Sequence, residues 1–379
     1  MSKQLIRYGI GIDVSKDDLV VCFKVLNSDE SEAQVGSRKF PNTPSGIKQI
    51  VSWIEKRRKN RSIPCRILLE VTGVYHEELI YFLHRGGYYV SLELGKRVKS
   101  YLKSLGHQTK TDKEDASGLA SMALYRKLPA WKPLSEQLIY IRQLVRYRAQ
   151  LITNKVRYEN QLHAHERSEH AVPEVSKGLE RHIALLKEDI KELEDQIQAR
   201  LKADETLWEP TKRIVDSLPG VGMMTMAIIL AETDGFSFFG SAKQLTKYAG
   251  LDIVENQSGT LRGKTRISKH GNARLRTAMY MPALALIRSK KTPLYQLYLR
   301  LIQRNGGLKK KAMVAVQRKL LCLIYALWKS KKTYDPDYQN LKQLRPKISP
   351  RPIQQNSPEH DSELHGITPH QKELPMTIT

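Results

Sequence analysis

The hydrophobic rhythm of this chain changes once, at Pro129 and Pro133, and that change decides what it can fold into. Before it, short apolar runs of strand length alternate with a helical pattern, and after it apolar residues recur mostly at helical spacing. Residues 8–26, YGIGIDVSKDDLVVCFKVL, are two apolar runs around a polar turn, which predicts a strand hairpin with Asp13 at the end of its first arm. CRILLEVTG predicts a buried strand ending at Glu70, HEELIYFLHRGG a helix stopped by its glycines, and YYVSLEL a further strand. Strands alternating with helices require a sheet covered on both faces, so residues 1–128 are expected to form a three-layer α/β domain.

Residues 129–207 are expected to be helical. Leu179, Ile183, Leu186, Ile190, Leu193 and Ile197 alternate steps of four and three, a heptad seam that fits either a helical hairpin broken near Pro173 or an intermolecular coiled coil. A third, mainly helical domain is expected over 208–334. Residues 335–379 are expected to be a disordered tail, because the last 44 residues hold seven of the seventeen prolines and little apolar periodicity.

Charge narrows the function. From Asn256 to Tyr334 there is no Asp or Glu, while residues 262–332 carry nineteen Lys and Arg, within a chain of formal net charge +24. Such an excess favours a polyanion through counterion release and steering, and nucleic acid is the leading partner. No lipidation motif or Trp/Phe-rich basic face points to a membrane, and MYMPALALI is too short to span one. Cys22, Cys65 and Cys322 are scattered and never in C-x-x-C pairs, which excludes a sequence-legible zinc site or disulfide framework and suits the cytoplasm.

Four carboxylates stand where chemistry would need them. Asp13 and Glu70 end strands of what is expected to be one sheet, and TDKEDASGLASMAL opens a helix in which Asp112 and Asp115 share a face. If they converge, they repel unless a cation joins them, and hard Mg²⁺ suits oxygen donors and phosphate chemistry. Singly, each has an ordinary alternative: Asp112 as a helix cap or dipole partner, Asp13 as a turn residue, with Asp17, Asp18, Glu77, Glu78 and Glu114 nearby as competitors.

Further on, IVDSLPGVGMMTMAIILAE joins two apolar helices through Pro219, Gly220, Val221 and Gly222. It reads either as a helix-hairpin-helix whose backbone N–H groups hold a phosphate, or as a plain turn between core helices. NQSGTLRGKTRISKHGNARLR then sets Arg262, Lys264, Arg266, Lys269, Arg274 and Arg276 around Ser258, side chains suited to holding a phosphate. A serine hydroxyl needs an activator, and no Ser-His-Asp arrangement is local. On residue chemistry alone Ser258 is a turn residue or a nucleophile, and Ser268 is an equal rival.

In order, GIDVSK, LLEVTGVY, TDKEDASGLA, LPGVG, YAGL, QSG and ISKHGNARLR resemble the DEDD transposases of insertion sequences, bridge-RNA-guided serine recombinases related to Piv-type DNA invertases. The resemblance covers residues 8 to 290. It implies a RuvC-like, ribonuclease-H-fold N-terminal domain and a C-terminal transposase domain. It further implies a tetrad of Asp13, Glu70, Asp112 and Asp115 holding Mg²⁺, and Ser258 as the nucleophile that forms a phosphoserine link to DNA. The family usually has a proline soon after GL, where this chain reads GLDIVENQSG, so Ser268 stays the alternative register. Synapsis of two DNA sites and the heptad seam suggest a homodimer or homotetramer. Two competing functions remain: a metal-dependent Holliday-junction-type nuclease with a structural serine, and a non-catalytic nucleic-acid-binding protein.

Overall fold

The computed structural model describes residues 3–104, 106, 111–255, 257–258, 261–263, 266–290, 292–304 and 306–337. A meander of three strands, β1 (Leu5–Val14), β2 (Asp18–Asn27) and β3 (Glu32–Pro41), leads into α1 (Pro44–Arg57), β4 (Cys65–Glu70), α2 (Glu77–Arg85), β5 (Tyr89–Glu93), α3 (Gly95–Ser104) and α4 (Asp112–Tyr125). The five strands form one sheet in the order β3-β2-β1-β4-β5, antiparallel across the meander and parallel across β1, β4 and β5. Antiparallel and parallel pairs thus meet in one mixed sheet.

Side chains alternate across β1, and its two rows do different things. Tyr8, Ile10, Ile12 and Val14 pack into a core with Ile50 and Trp53 of α1 and Leu79 and Ile80 of α2. The opposite row is Gly9, Gly11 and Asp13, and it lies under α4. A Cβ at Gly11 would collide with Ala116 O and Ala120 N, and one at Gly9 would come within 2.6 Å of Ala120 O. The helix backbone therefore rests on the strand backbone, and the two run in opposite directions. That crossing brings the first turn of α4 toward Asp13. With α3 and α4 on one face and α1 and α2 on the other, the expected three layers are present.

Gly11→Ala is expected to lower stability by about 3 kcal/mol, because backbone rather than a flexible side chain must give way. Gly178, in the middle of a later helix with nothing near its missing Cβ, should instead gain about 0.5–1 kcal/mol on substitution by Ala. Urea midpoints read both, and an unchanged midpoint for Gly11→Ala would refute the seating of α4 on β1.

Past the prolines, α5 (Glu136–Glu166) and α6 (Pro173–Lys202) form an antiparallel hairpin, with Tyr158 stacked on His182 at 5.5 Å between centroids. Of the expected heptad seam, Ile183, Leu193 and Ile197 are buried within this chain. Then follow α7 (Glu205–Ser217), α8 (Met223–Thr233) and α9 (Ala242–Tyr248), and the short strands β6 (Ile253–Val254), β7 (Gln257–Ser258), β8 (Leu261–Arg262) and β9 (Arg266–Ile267). The chain continues through α10 (Ala273–Ala278), α11 (Tyr280–Ser289), α12 (Pro293–Arg304) and α13 (Lys309–Ser330). One apolar core joins Leu138 and Ile141 of α5, Ile197 and Leu201 of α6, and the helices as far as Leu327. The roots of the hairpin thus share a core with the residues after it. Lys264 and the tail beyond 337 lie outside the described residues.

Candidate active site

Register places two of the four carboxylates. Ile12 pairs with Leu69 across parallel strands, so Asp13 and Glu70 follow side by side at the same edge of the sheet. Asp112 and Asp115 arrive from the first turn of α4. Thr111, not Asp112, is the cap of that helix, its hydroxyl accepting from the Glu114 N–H at 3.2 Å. The capping role considered for Asp112 is therefore filled by its neighbour. Of the competitors, Asp17 lies in the β1–β2 turn, Asp18 opens β2 and pairs with Lys39 at 2.7 Å, and Glu77 and Glu78 lie in the first turn of α2.

Burial, with added repulsion from Asp112, Asp115 and Glu70, pushes the Asp13 carboxyl up to about 6 from an ordinary 3.8. Three carboxylates from two other elements thus act electrostatically on the Asp13 carboxyl. Among the described residues, no three His, Cys, Asp or Glu side chains close into a ready-made ligand shell. The donor set, all carboxylate oxygen at the end of two strands and a helix, fits a hard divalent ion.

Glu93 was not anticipated. It stands beside Glu70 in register on β5, is 6% exposed, and accepts from the Leu94 N–H at 2.9 Å and from Arg97 at 3.2 Å. Glu93 alternates with Tyr89 and Ser91 on one face of β5, a polar row that reads from the sequence as solvent-facing.

The serine segment is a nested pair of ribbons. β6 pairs with β9, and within them β7 pairs with β8, Ser258 facing Leu261. Ser258 is exposed. Ser268 is engaged at the ribbon's base: its hydroxyl donates to the Asp252 carboxylate, and its N–H donates to Asp252 O at 2.9 Å. The two motifs YAGL and KHGN lock together there, with Lys269 N–H to Gly250 O at 3.1 Å and Asn272 N–H to Tyr248 O at 2.7 Å. Arg276 donates to Ala249 O at 2.8 Å, so its guanidinium holds this turn. Arg266, Lys269 and Arg274 are exposed, and the backbone of Arg262 lies on β8.

Beneath the ribbon sits a network that sequence reasoning missed. The Glu232 carboxylate, 1% exposed, accepts two hydrogen bonds from Arg146 of α5 at 2.8 and 2.9 Å and one from Asn272 at 2.7 Å. Burial opposes its ionised form, and the hydrogen bonds from Arg146 and Asn272 outweigh it, holding the carboxyl below its ordinary range. Asn272 also caps α10, accepting from Arg274 and Leu275. The long hairpin and the basic segment are thereby fixed to each other.

The turn between α7 and α8 answers to packing as well as to any ligand. Gly220 has a left-handed φ of 79°, and a Cβ there would come 2.9 Å from Ala285 Cβ on α11. Gly222, the N-cap of α8, faces open space and has no side-chain cap. No helix among the described residues is long and apolar enough to cross a membrane.

Comparison with known proteins bears on both halves. Residues 10–167 match a DEDD-type IS110 family model described as "Transposase", and residues 212–299 match one described as "Transposase IS116/IS110/IS902 family". The chain is 29% identical to the pilin gene-inverting protein of Moraxella bovis over 331 residues, 86% of this chain and 97% of that one. It is 34% identical over 150 residues to the transposase for insertion sequence element IS1111A of Coxiella burnetii, covering 39% of each. Among solved structures, T. thermophilus RuvC in complex with a Holliday junction substrate aligns at 11% identity and a TM-score of 0.24, over 30% of this chain and 90% of that one.

Proposed function

Because this chain belongs to the IS110/IS116 family of DEDD transposases, we propose that it cuts and rejoins DNA through a phosphoserine intermediate on Ser258. The observation that supports the reading is that the charges of Glu70, Asp112 and Asp115 all reach the Asp13 carboxyl, in a chain that also presents an exposed serine among basic residues. In this proposal Asp13, Glu70, Asp112 and Asp115 hold a divalent ion, Mg²⁺ by the hardness of the donors. When bound, the ion supplies Lewis-acid stabilisation of the oxygens at the reacting phosphate.

The chain's own residues do the rest. Arg266, Lys269 and Arg274, with Arg262 and Lys264, hold the scissile phosphate and balance the charge on its oxygens. Ser258 Oγ bonds to phosphorus as the bond from phosphorus to a deoxyribose oxygen breaks. The serine loses its proton and the departing oxygen gains one. Attack by another deoxyribose hydroxyl on the phosphoserine reverses these changes and rejoins the strand. The open end of α8 at Gly222, after Gly220, positions a further phosphate without reading sequence. Target choice is assigned to a structured RNA from the same element, and synapsis to a dimer or tetramer. The resemblance supports the first of these, and the net charge of +24 suits a second polyanion.

The test combines the protein with DNA carrying its element's ends, with and without the adjoining transcript, in Mg²⁺ or EDTA. A denaturation-resistant protein–DNA adduct that needs both Mg²⁺ and the transcript is the expected result. Free ends without an adduct would make the chain a metal-dependent nuclease, and intact DNA bound in every condition would leave a binding protein.

A further inference from the structure

A groove of about 880 Å³ opens between the end of α11, α12 and α13, far along the chain from the serine ribbon. Four cations from three elements line it: Lys290 from the end of α11, Arg300 from α12, and Arg318 and Lys319 from α13. Among the described lining residues Asp337 is the one carboxylate, brought in by the segment after α13, where its N–H donates to Asp335 Oδ1 at 2.8 Å. The helices α11, α12 and α13 all lie in the acid-free stretch, so they bring no counter-charge to the four cations beyond the Asp337 carboxylate. Arg318 adds a second observation: its Nε is buried and has no hydrogen-bond partner.

We propose that this groove binds the phosphodiester backbone of a nucleic acid, with Arg318 and Arg300 as its main anchors, as a site separate from the serine ribbon. Guanidinium groups match phosphate oxygens in both charge and fork geometry. Cations gathered in one concave surface repel each other until an anion enters, and field lines focus there. The Lys309–Lys311 run at the start of α13 extends the positive surface along the same helix. The family model matched by the second half ends at residue 299, so α13 belongs to neither matched region. The inference rests on the proposed handling of nucleic acid. It adds where a backbone is held away from the reacting phosphate, by DNA or by RNA.

The experiment is a salt titration of binding, read by fluorescence anisotropy, with the full chain and two probes: a mixed-sequence DNA duplex and a mixed-sequence RNA hairpin. The Arg300→Gln/Arg318→Gln variant is expected to lose affinity about tenfold. Its slope of log K against log salt should be shallower by about one to two, the value for one or two lost phosphate contacts. Lys290→Gln/Arg300→Gln changes only exposed side chains, and it carries the test if the first variant melts early. A change confined to the duplex assigns the groove to DNA, one confined to the hairpin assigns it to RNA, and a change with both assigns it to the shared backbone. Slopes equal to wild type for both variants and both probes would overturn the inference, and an adduct still formed by those variants would show that the proposed function survives it. Failure of the wild-type chain to bind either probe would overturn both.

Discussion

Ser258→Ala is expected to abolish the covalent protein–DNA adduct, and Ser268→Ala to leave it in place. Removing the attacking oxygen should slow strand transfer by on the order of 10⁴-fold or more, since no other group inherits a nucleophile's role at the same position. The two serines sit ten residues apart in one basic segment and are alike in residue chemistry, yet their surroundings differ. Ser258 is exposed near the end of the inner ribbon, whereas Ser268 is half-buried at the base and donates to the Asp252 carboxylate. Loss of that hydrogen bond to a charged group should cost about 1.5–3 kcal/mol of local stability, with little effect on chemistry. Adduct yield on a denaturing gel, beside a melting curve, separates the two kinds of effect. An adduct surviving in Ser258→Ala, or lost in a Ser268→Ala protein that melts normally, would move the nucleophile to the alternative register.

Why one serine was not separable from the other in the sequence follows from where their partners lie. Asp252 meets Ser268 across 16 residues of intervening ribbon, and Glu232 meets Arg146 and Asn272 across 86 and 40 residues. Periodicity reports which face of an element is buried, and it reports nothing about which polar side chains meet there. The α/β domain was more legible because strands and helices announce themselves locally. Even so, β3 escaped notice. It is an edge strand with Phe40 as its one buried side chain, so the alternation that marks a half-covered strand is missing. By contrast α1 carries signals legible in the sequence, a Thr43 cap, Pro44 at the start, and Ile47, Ile50 and Ile54 on one face. The GIGID row reads as strand, and its glycines also allow the close crossing of α4, which brings the first turn of that helix toward Asp13.

That crossing leads to the second large effect, at Asp13. Asp13→Asn should cut DNA strand cleavage by more than the roughly 10- to 100-fold that loss of an outer-shell partner costs a metal site, because in the proposed site a ligand itself is lost. The same substitution should stabilise the metal-free protein. Wild-type Asp13 titrates near 6 when folded, against an ordinary 3.8, because of burial and the charges of Asp112, Asp115 and Glu70. Between those two values the folded chain holds a proton that the unfolded chain has released. Stability therefore falls as pH rises through that window, and above about 6 both states are ionised and the full penalty remains. After allowance for solvent screening of a partly exposed carboxyl, the penalty is on the order of 1 kcal/mol, and Asn does not incur it. Mg²⁺ should reverse the ranking: it stabilises the wild type by binding the folded state alone, and it stabilises the variant much less. Melting temperatures of both proteins at pH 4.5 and 7.5, in EDTA and in Mg²⁺, test this. The expected pattern in EDTA is a variant clearly more stable than wild type at pH 7.5 and by a much smaller margin at pH 4.5, with the ranking reversed at pH 7.5 in Mg²⁺. Equal melting temperatures at pH 7.5 in EDTA, or an equal gain from Mg²⁺ in both proteins, would mean that the four carboxylates do not share a cation. A site built from mutually repelling acids weakens the fold that carries it until its ion arrives, and that cost is what separates a metal tetrad from four carboxylates that merely cap helices and turns.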